Sequence, residues 1–204
     1  MVGNDVIDLG DPEARPGGCH ARFDARVFAA VELEQLAAST APVRLRWILW
    51  AAKEAAFKVA KKDDARTIFS PRRFVVCVTS GTQARVAHDA RRFAVELEIG
   101  ARYVHAIATD GGNPGARVVA GVERIAWGGS TCPGSAARTL AIRALAPLLG
   151  IAAAELSVAR EARVPRLCRG SVDVATDLSL SHHGRFVAFA CTLPEVGAQL
   201  QGLP

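Results

Sequence analysis

The chain has few aromatic residues, no apolar run long enough to span a bilayer, and no paired cysteine pattern. Phe, Trp and Tyr make up 6% of the 204 residues, so a core must be lined by Val, Leu, Ile and Ala. The five cysteines (Cys19, Cys77, Cys132, Cys168 and Cys191) are odd in number and widely spaced, without a CxxC or a Cys/His pair at zinc spacing. That argues against a disulfide framework and against structural zinc. Cys77 and Cys191 lie in apolar runs and read as buried fillers. No basic stretch followed by an apolar segment opens the chain, so a reducing cytoplasm is the expected setting, with no membrane partner. Lysine is scarce beside arginine. Lys and Arg together number 25 against 20 Asp and Glu, a net charge of +5. This favours a polyanionic partner: a nucleotide, a nucleic acid or an acidic protein. Basic residues are not interleaved with aromatics, so Trp47, Trp50 and Trp127 read as packing residues and no nucleic-acid partner is expected.

What is present is half hydrophobic, enough for one moderate domain or two small related lobes. Residues 2–9 read as an opening strand with acidic residues near its end, followed by a Pro- and Gly-rich loop over 11–18. Asp24 caps an expected helix to about residue 37, and Pro42 precedes a second over 43–61. In that second helix Trp47, Trp50, Glu54 and Lys58 form one stripe, with Leu45, Leu49, Ala56 and Val59 on the neighbouring apolar face. From residue 74 to 125 the period shortens to that of a largely antiparallel meander. GGSTCPG over 128–134 is the clearest linker. A helix over 136–149 follows, stopped by Gly150, and then strands near 156–160, 177–181 and 186–192. Helix then strands on both sides of the linker predicts an α+β fold of two pseudo-symmetric lobes, 1–127 and 135–204.

Three segments carry chemistry. In WAAKEAAFK, Glu54 and Lys58 share a helical face one turn apart and Lys53 projects beside them. A carboxylate between two ammonium groups suits a divalent metal and a phosphate held together. Glu preceding Lys by four is also the ordinary stabilising pair of a helix surface. Asp5 ends a hydrophobic strand and Asp8 follows it, a natural pair for a hard cation or simply turn formers. His182 and His183 lie between Ser181 and Gly184, where a histidine can donate to a phosphate and glycine admits a close backbone. The other reading there is a plain hairpin.

Together the segments resemble the 4′-phosphopantetheinyl transferase superfamily, whose marks are G-x-D after a strand, W-x-x-K-E-(A/S)-x-x-K on a helix, and S-h-S-H-x-G at a strand end. Here they stand as Gly3-Asn4-Asp5, Trp50 through Lys58, and Ser179 through Gly184. Arg22-Phe23 and Arg26-Val27-Phe28 are similar to the RF-x-x-RVF stretch of the holo-acyl-carrier-protein synthase branch. In surfactin-type members the histidine motif comes first, whereas here it comes last. The resemblance therefore implies a circularly permuted two-lobed chain, expected to be a monomer. The rival is a holo-synthase-type domain with a long insertion, which normally assembles as a trimer.

The resemblance implies transfer of phosphopantetheine from coenzyme A to a serine of an acidic acyl or peptidyl carrier protein, releasing 3′,5′-ADP. It implies Asp5, Glu54 and Asp8 for Mg²⁺, and Glu54 and Lys58 for catalysis. It implies Lys53, Lys58, Ser181, His182 and, more weakly, Arg143 for coenzyme A. A carrier would dock near Arg22 and Arg26. The chain departs from the family at Ile7, where surfactin-type members have a second acid, and at Arg163-Val164-Pro165, where a G-K-P segment is expected. The alternative is a coenzyme A- or nucleotide-binding module of the same fold without turnover.

Overall fold

A computed structural model describes residues 1–111, 116–126, 132–162, 164–174 and 176–193. Of the sequence features above, Trp127, residues 128–131 of the linker and Arg163 lie outside the described residues. The fold is α+β, with two lobes of similar build, each with a long helix packed on an antiparallel sheet.

The first lobe starts with strand β1 (Val2–Asp8) and continues through short helices α1 (Phe23–Val27) and α2 (Ala30–Ala38) into helix α3 (Pro42–Asp63). A single helix was expected over 24–37. Instead the chain turns extended at Phe28 and Ala29, burying Phe28 completely, and Glu32 accepts the Ala29 amide to restart the helix. α3 begins with Pro in its first turn, where a missing amide costs nothing. Its buried face carries Leu49, Ala52, Ala56 and Val59 at helical spacing. The alanines bring the helix close to β1. A Cβ on Gly3 would stand 2.2 Å from the Ala55 carbonyl oxygen, so only glycine fits there.

Strands β2 (Val75–Ser80), β3 (Gln83–His88), β4 (Arg91–Ile99) and β5 (Tyr103–Thr109) complete a five-stranded sheet in the order β1-β5-β4-β3-β2. The expected meander ends at β5. Strand β6 (Arg117–Arg124) pairs instead with a strand of the other sheet, because β5 already has β1 on one side and β4 on the other. Cys77 is a second correction. Strand alternation turns Val76 inward and Cys77 outward to solvent, whereas Cys191 is buried as expected.

The second lobe has helix α4 (Pro133–Leu149), strands β7 (Leu156–Glu161), β8 (Val164–Arg169), β9 (Val172–Asp173), β10 (Asp177–His183) and β11 (Phe186–Leu193). α4 buries Ala137, Leu140, Ala141 and Leu145 in one core with Leu178, Val187 and Phe189 of the β10-β11-β6 sheet. β7, β8 and β9 form a third antiparallel sheet.

The lobes meet where β1 runs alongside β10. The outer amides of β1 are buried and need acceptors. Side chains supply them: Asp177 accepts from Val2 N at 2.5 Å, Ser179 from Asn4 N at 3.0 Å, and His183 Nδ1 from Asp8 N at 3.1 Å. Lys62 of α3 crosses the same seam, donating to Asp177 at 2.6 Å and to the carbonyls of Val2 and Leu178. Among the described residues no helix is long and apolar enough to cross a membrane.

Candidate active site

Partway along the seam lies a cleft of about 260 Å³ lined by Asp5, Glu54 and Lys58 from the first lobe and Gly134, Ala137, Arg160, Leu180, Ser181 and His182 from the second. Five segments of sequence thus converge, among them the three that carry the motifs. Asp5 reaches it because Gly3 presses β1 against α3, and Lys58 Nζ then donates to Asp5 at 3.0 Å and to the Asn4 carbonyl at 2.7 Å. Glu54 stands one turn before Lys58 on the same face.

The electrostatics are unbalanced. Burial, and then the nearby Asp5 carboxylate, push Glu54 up to about 7 against the opposing pull of Lys58. His182 is held below its ordinary value by burial and by Lys58. Two carboxylates share one ammonium group, and the like-charge contact between them is what a divalent cation relieves. Mg²⁺ typically takes one or two carboxylates and completes its shell with substrate phosphate and water, so Asp5 and Glu54 fit it. No group of three or more His, Cys, Asp or Glu converges into an all-protein metal cage among the described residues.

Three sequence-predicted residues do not come to the cleft. Lys53 is fully buried, donating to Glu32 at 2.7 Å and to the Pro71 and Phe74 carbonyls, with its charge over the Phe28 ring. A helix advances about 100° per residue, so a neighbour of Glu54 turns from the cleft into the core. Burial lowers the affinity of Lys53 for its proton, and Glu32 opposes that. Asp8 lies beyond the cleft lining. Its carboxylate receives Arg185 Nε and Nη2 at 2.7 Å, the Arg185 amide at 3.0 Å and the Gly10 amide at 2.8 Å. Burial raises this carboxyl, but the Arg185 and Gly10 donors outweigh it and hold it at about 2. With its lone pairs so occupied, Asp8 locks the lobes rather than offering a ligand. Arg143 is exposed and paired with Glu123 on the surface.

Of the two histidines, His182 lines the cleft, and His183 turns to the seam, where its Nδ1 accepts the Asp8 amide. Gly184, at φ 52°, closes the turn, and a Cβ there would meet the Asp8 carboxylate at 2.7 Å. Arg160 is a lining residue the sequence did not announce. It looks like any solvated arginine of a strand, and it comes here because β7 pairs with β8, which packs on β10.

A family model described as the 4′-phosphopantetheinyl transferase superfamily matches residues 1–108, just over half of the chain. The match spans β1 through most of β5, and so includes Asp5, Glu54 and Lys58. No individually curated protein matches.

Proposed function

Taking as premise that the chain belongs to the 4′-phosphopantetheinyl transferase superfamily, we propose that it transfers phosphopantetheine from coenzyme A to a serine of an apo carrier protein. The observation that carries the reading is one cleft with acids and a lysine on one wall and Arg160, Ser181 and His182 on the other.

In the proposed reaction the serine Oγ forms a bond to the phosphorus nearer the pantetheine arm, and the bond to the bridging oxygen breaks. 3′,5′-ADP leaves with the electron pair of that bond. Glu54, directly or through a water, takes the serine proton, a contribution of about 10²–10⁴-fold for a positioned base. Lys58 meets the phosphate oxygens from the Asp5 side and stabilises the charge that gathers on the leaving group. Arg160, Ser181 and His182 hold the nucleotide phosphates from the opposite wall. Asp5 and Glu54 would hold Mg²⁺, which supplies charge neutralisation at the pyrophosphate. On this reading the chain is a permuted two-lobed member acting as a cytoplasmic monomer. The exposed Arg22 and Arg26 would meet an acidic carrier.

Incubation with coenzyme A, Mg²⁺ and a panel of apo carriers, read by intact mass, tests this. Gain of the phosphopantetheine mass on a carrier serine is the expected result. No gain on any carrier, beside a transferase that modifies the same panel, would sink it. A second reading, a coenzyme A-binding module without turnover, is motivated by Ile7 standing where surfactin-type members have an acid, with Asp8 engaged by Arg185 and not replacing it. It predicts Mg²⁺-dependent coenzyme A binding that survives Glu54→Gln, with no transfer by the unmutated chain.

A further inference from the structure

A chain of polar side chains runs through the first sheet and ends at the cleft. Its outer member is Glu98 on β4, which Tyr103 also bonds through its hydroxyl. Glu98 Oε2 lies 3.8 Å from Nδ1 of His105 on β5, a residue with no exposed surface. His105 Nε2 lies 3.0 Å from the Asn4 amide nitrogen on β1. The same nitrogen donates to Ser181 Oγ on β10 at 3.1 Å. Asn4 is itself fully buried, and Ser181 lines the cleft beside Glu54, Lys58, Arg160 and His182.

The donor count fixes the directions. An amide NH₂ has two hydrogens, and here both have an acceptor, His105 Nε2 and Ser181 Oγ; among the described residues the carbonyl oxygen of Asn4 and His105 Nδ1 are the buried side-chain atoms left without a hydrogen-bond partner. Turning the amide over would strand both N–H donors of Asn4 in place of its one acceptor, the costlier arrangement, while His105 Nδ1 stays without a hydrogen-bond partner either way. For Asn4 to donate to it, His105 Nε2 must be the bare nitrogen, which puts the ring proton on Nδ1, towards Glu98. Ser181 Oγ then spends a lone pair on Asn4 and keeps its own hydrogen. A serine in the opposite arrangement would donate to the Asn4 oxygen and show the cleft only lone pairs, which repel phosphate.

We infer that Asn4 and His105 are positioning residues that turn the Ser181 hydroxyl into a hydrogen-bond donor facing the phosphates of coenzyme A. This rests on the proposed transfer reaction for the identity of the ligand, but not for the hydrogen-bond chain itself. Neither residue touches the ligand. Their effect passes through Ser181 alone, so substitutions at His105 and Ser181 do not add.

Two measurements decide it. Long-range ¹H–¹⁵N correlations of the His105 ring in the unmutated chain read the tautomer, and the Nδ1–H form is expected. The Nε2–H form overturns the inference, even if no variant folds. Calorimetry of coenzyme A with Mg²⁺ is expected to show His105→Phe weakening binding about tenfold, the scale of one lost bond to a charged group. Ser181→Ala is expected to do the same and the double variant no more, whereas His105→Gln, which returns an acceptor near Nε2, restores affinity. Additive losses, or unchanged affinity in a folded His105→Phe, overturn the inference. If the unmutated chain binds no coenzyme A, the transfer reading falls by itself and the tautomer alone decides the chain of bonds.

Discussion

β1 carries two carboxylates, and its two halves treat them in opposite ways. Asp5 meets one cation, Lys58, at 3.0 Å, with a second carboxylate crowding the same cleft. Asp8 is 1% exposed and takes four donors, two of them the parallel N–H groups of Arg185. The first end is short of positive charge, and the second is saturated. Saturation fixes geometry, because a bidentate arginine holds both distance and plane. Shortage leaves lone pairs for a substrate or cation, at a cost in stability. One strand therefore joins the lobes with one acid and keeps the other available.

The largest expected contrast comes from removing charge at the open end. Glu54→Gln should lower transfer about 10²–10⁴-fold while leaving thermal stability equal or higher, because a crowded buried carboxylate is lost. A marked fall in melting temperature would show that the open end is structural after all. At the saturated end Asp8→Asn should do the reverse. A carboxyl held at about 2 against an ordinary 3.8 contributes about 2 kcal/mol at neutral pH. Its loss should drop the melting temperature by about 4–8 °C for a chain of this size.

The sign of the pH dependence follows. The folded value lies below the unfolded one, so this contribution is fully present above about pH 4 and fades as pH falls towards 2. Urea titrations of both chains should converge over that window, and a gap unchanged at pH 2 would break the assignment to charge. Arg185→Lys should cost about 1 kcal/mol, because an ammonium group cannot make the two parallel bonds. Smallest of all is Arg143→Ala. As an exposed partner of Glu123 it should change stability by less than about 0.5 kcal/mol and leave transfer unaltered.

Sequence spacing showed α3, its Glu54/Lys58 face and the apolar positions beside it, because a helix writes its faces at intervals of three and four. It also placed His182 after a strand. It misread Lys53, since nothing local reveals that α2 brings Glu32 into the core to meet it. It misread Asp8 for the same reason: Arg185 is distant in sequence and becomes a neighbour only when β10 reaches β1. β6 changed sheets because β5 had no free edge, a fact of topology rather than of composition. Asn4 and His105 gave no signal, because a polar residue in a strand looks solvated until both faces are known to be covered.

The seam between β1 and β10 also bears on dissection of the chain. A fragment ending near residue 108, where the family match stops, would contain β1, α3 and almost all of the first sheet. It would lack Asp177, Ser179 and His183, the acceptors for the amides of Val2, Asn4 and Asp8. Its outermost strand would be an unprotected edge, apolar at Val2 and Val6, open to any extended chain that approached. The second lobe thus acts towards the first as a built-in guard against edge-to-edge aggregation.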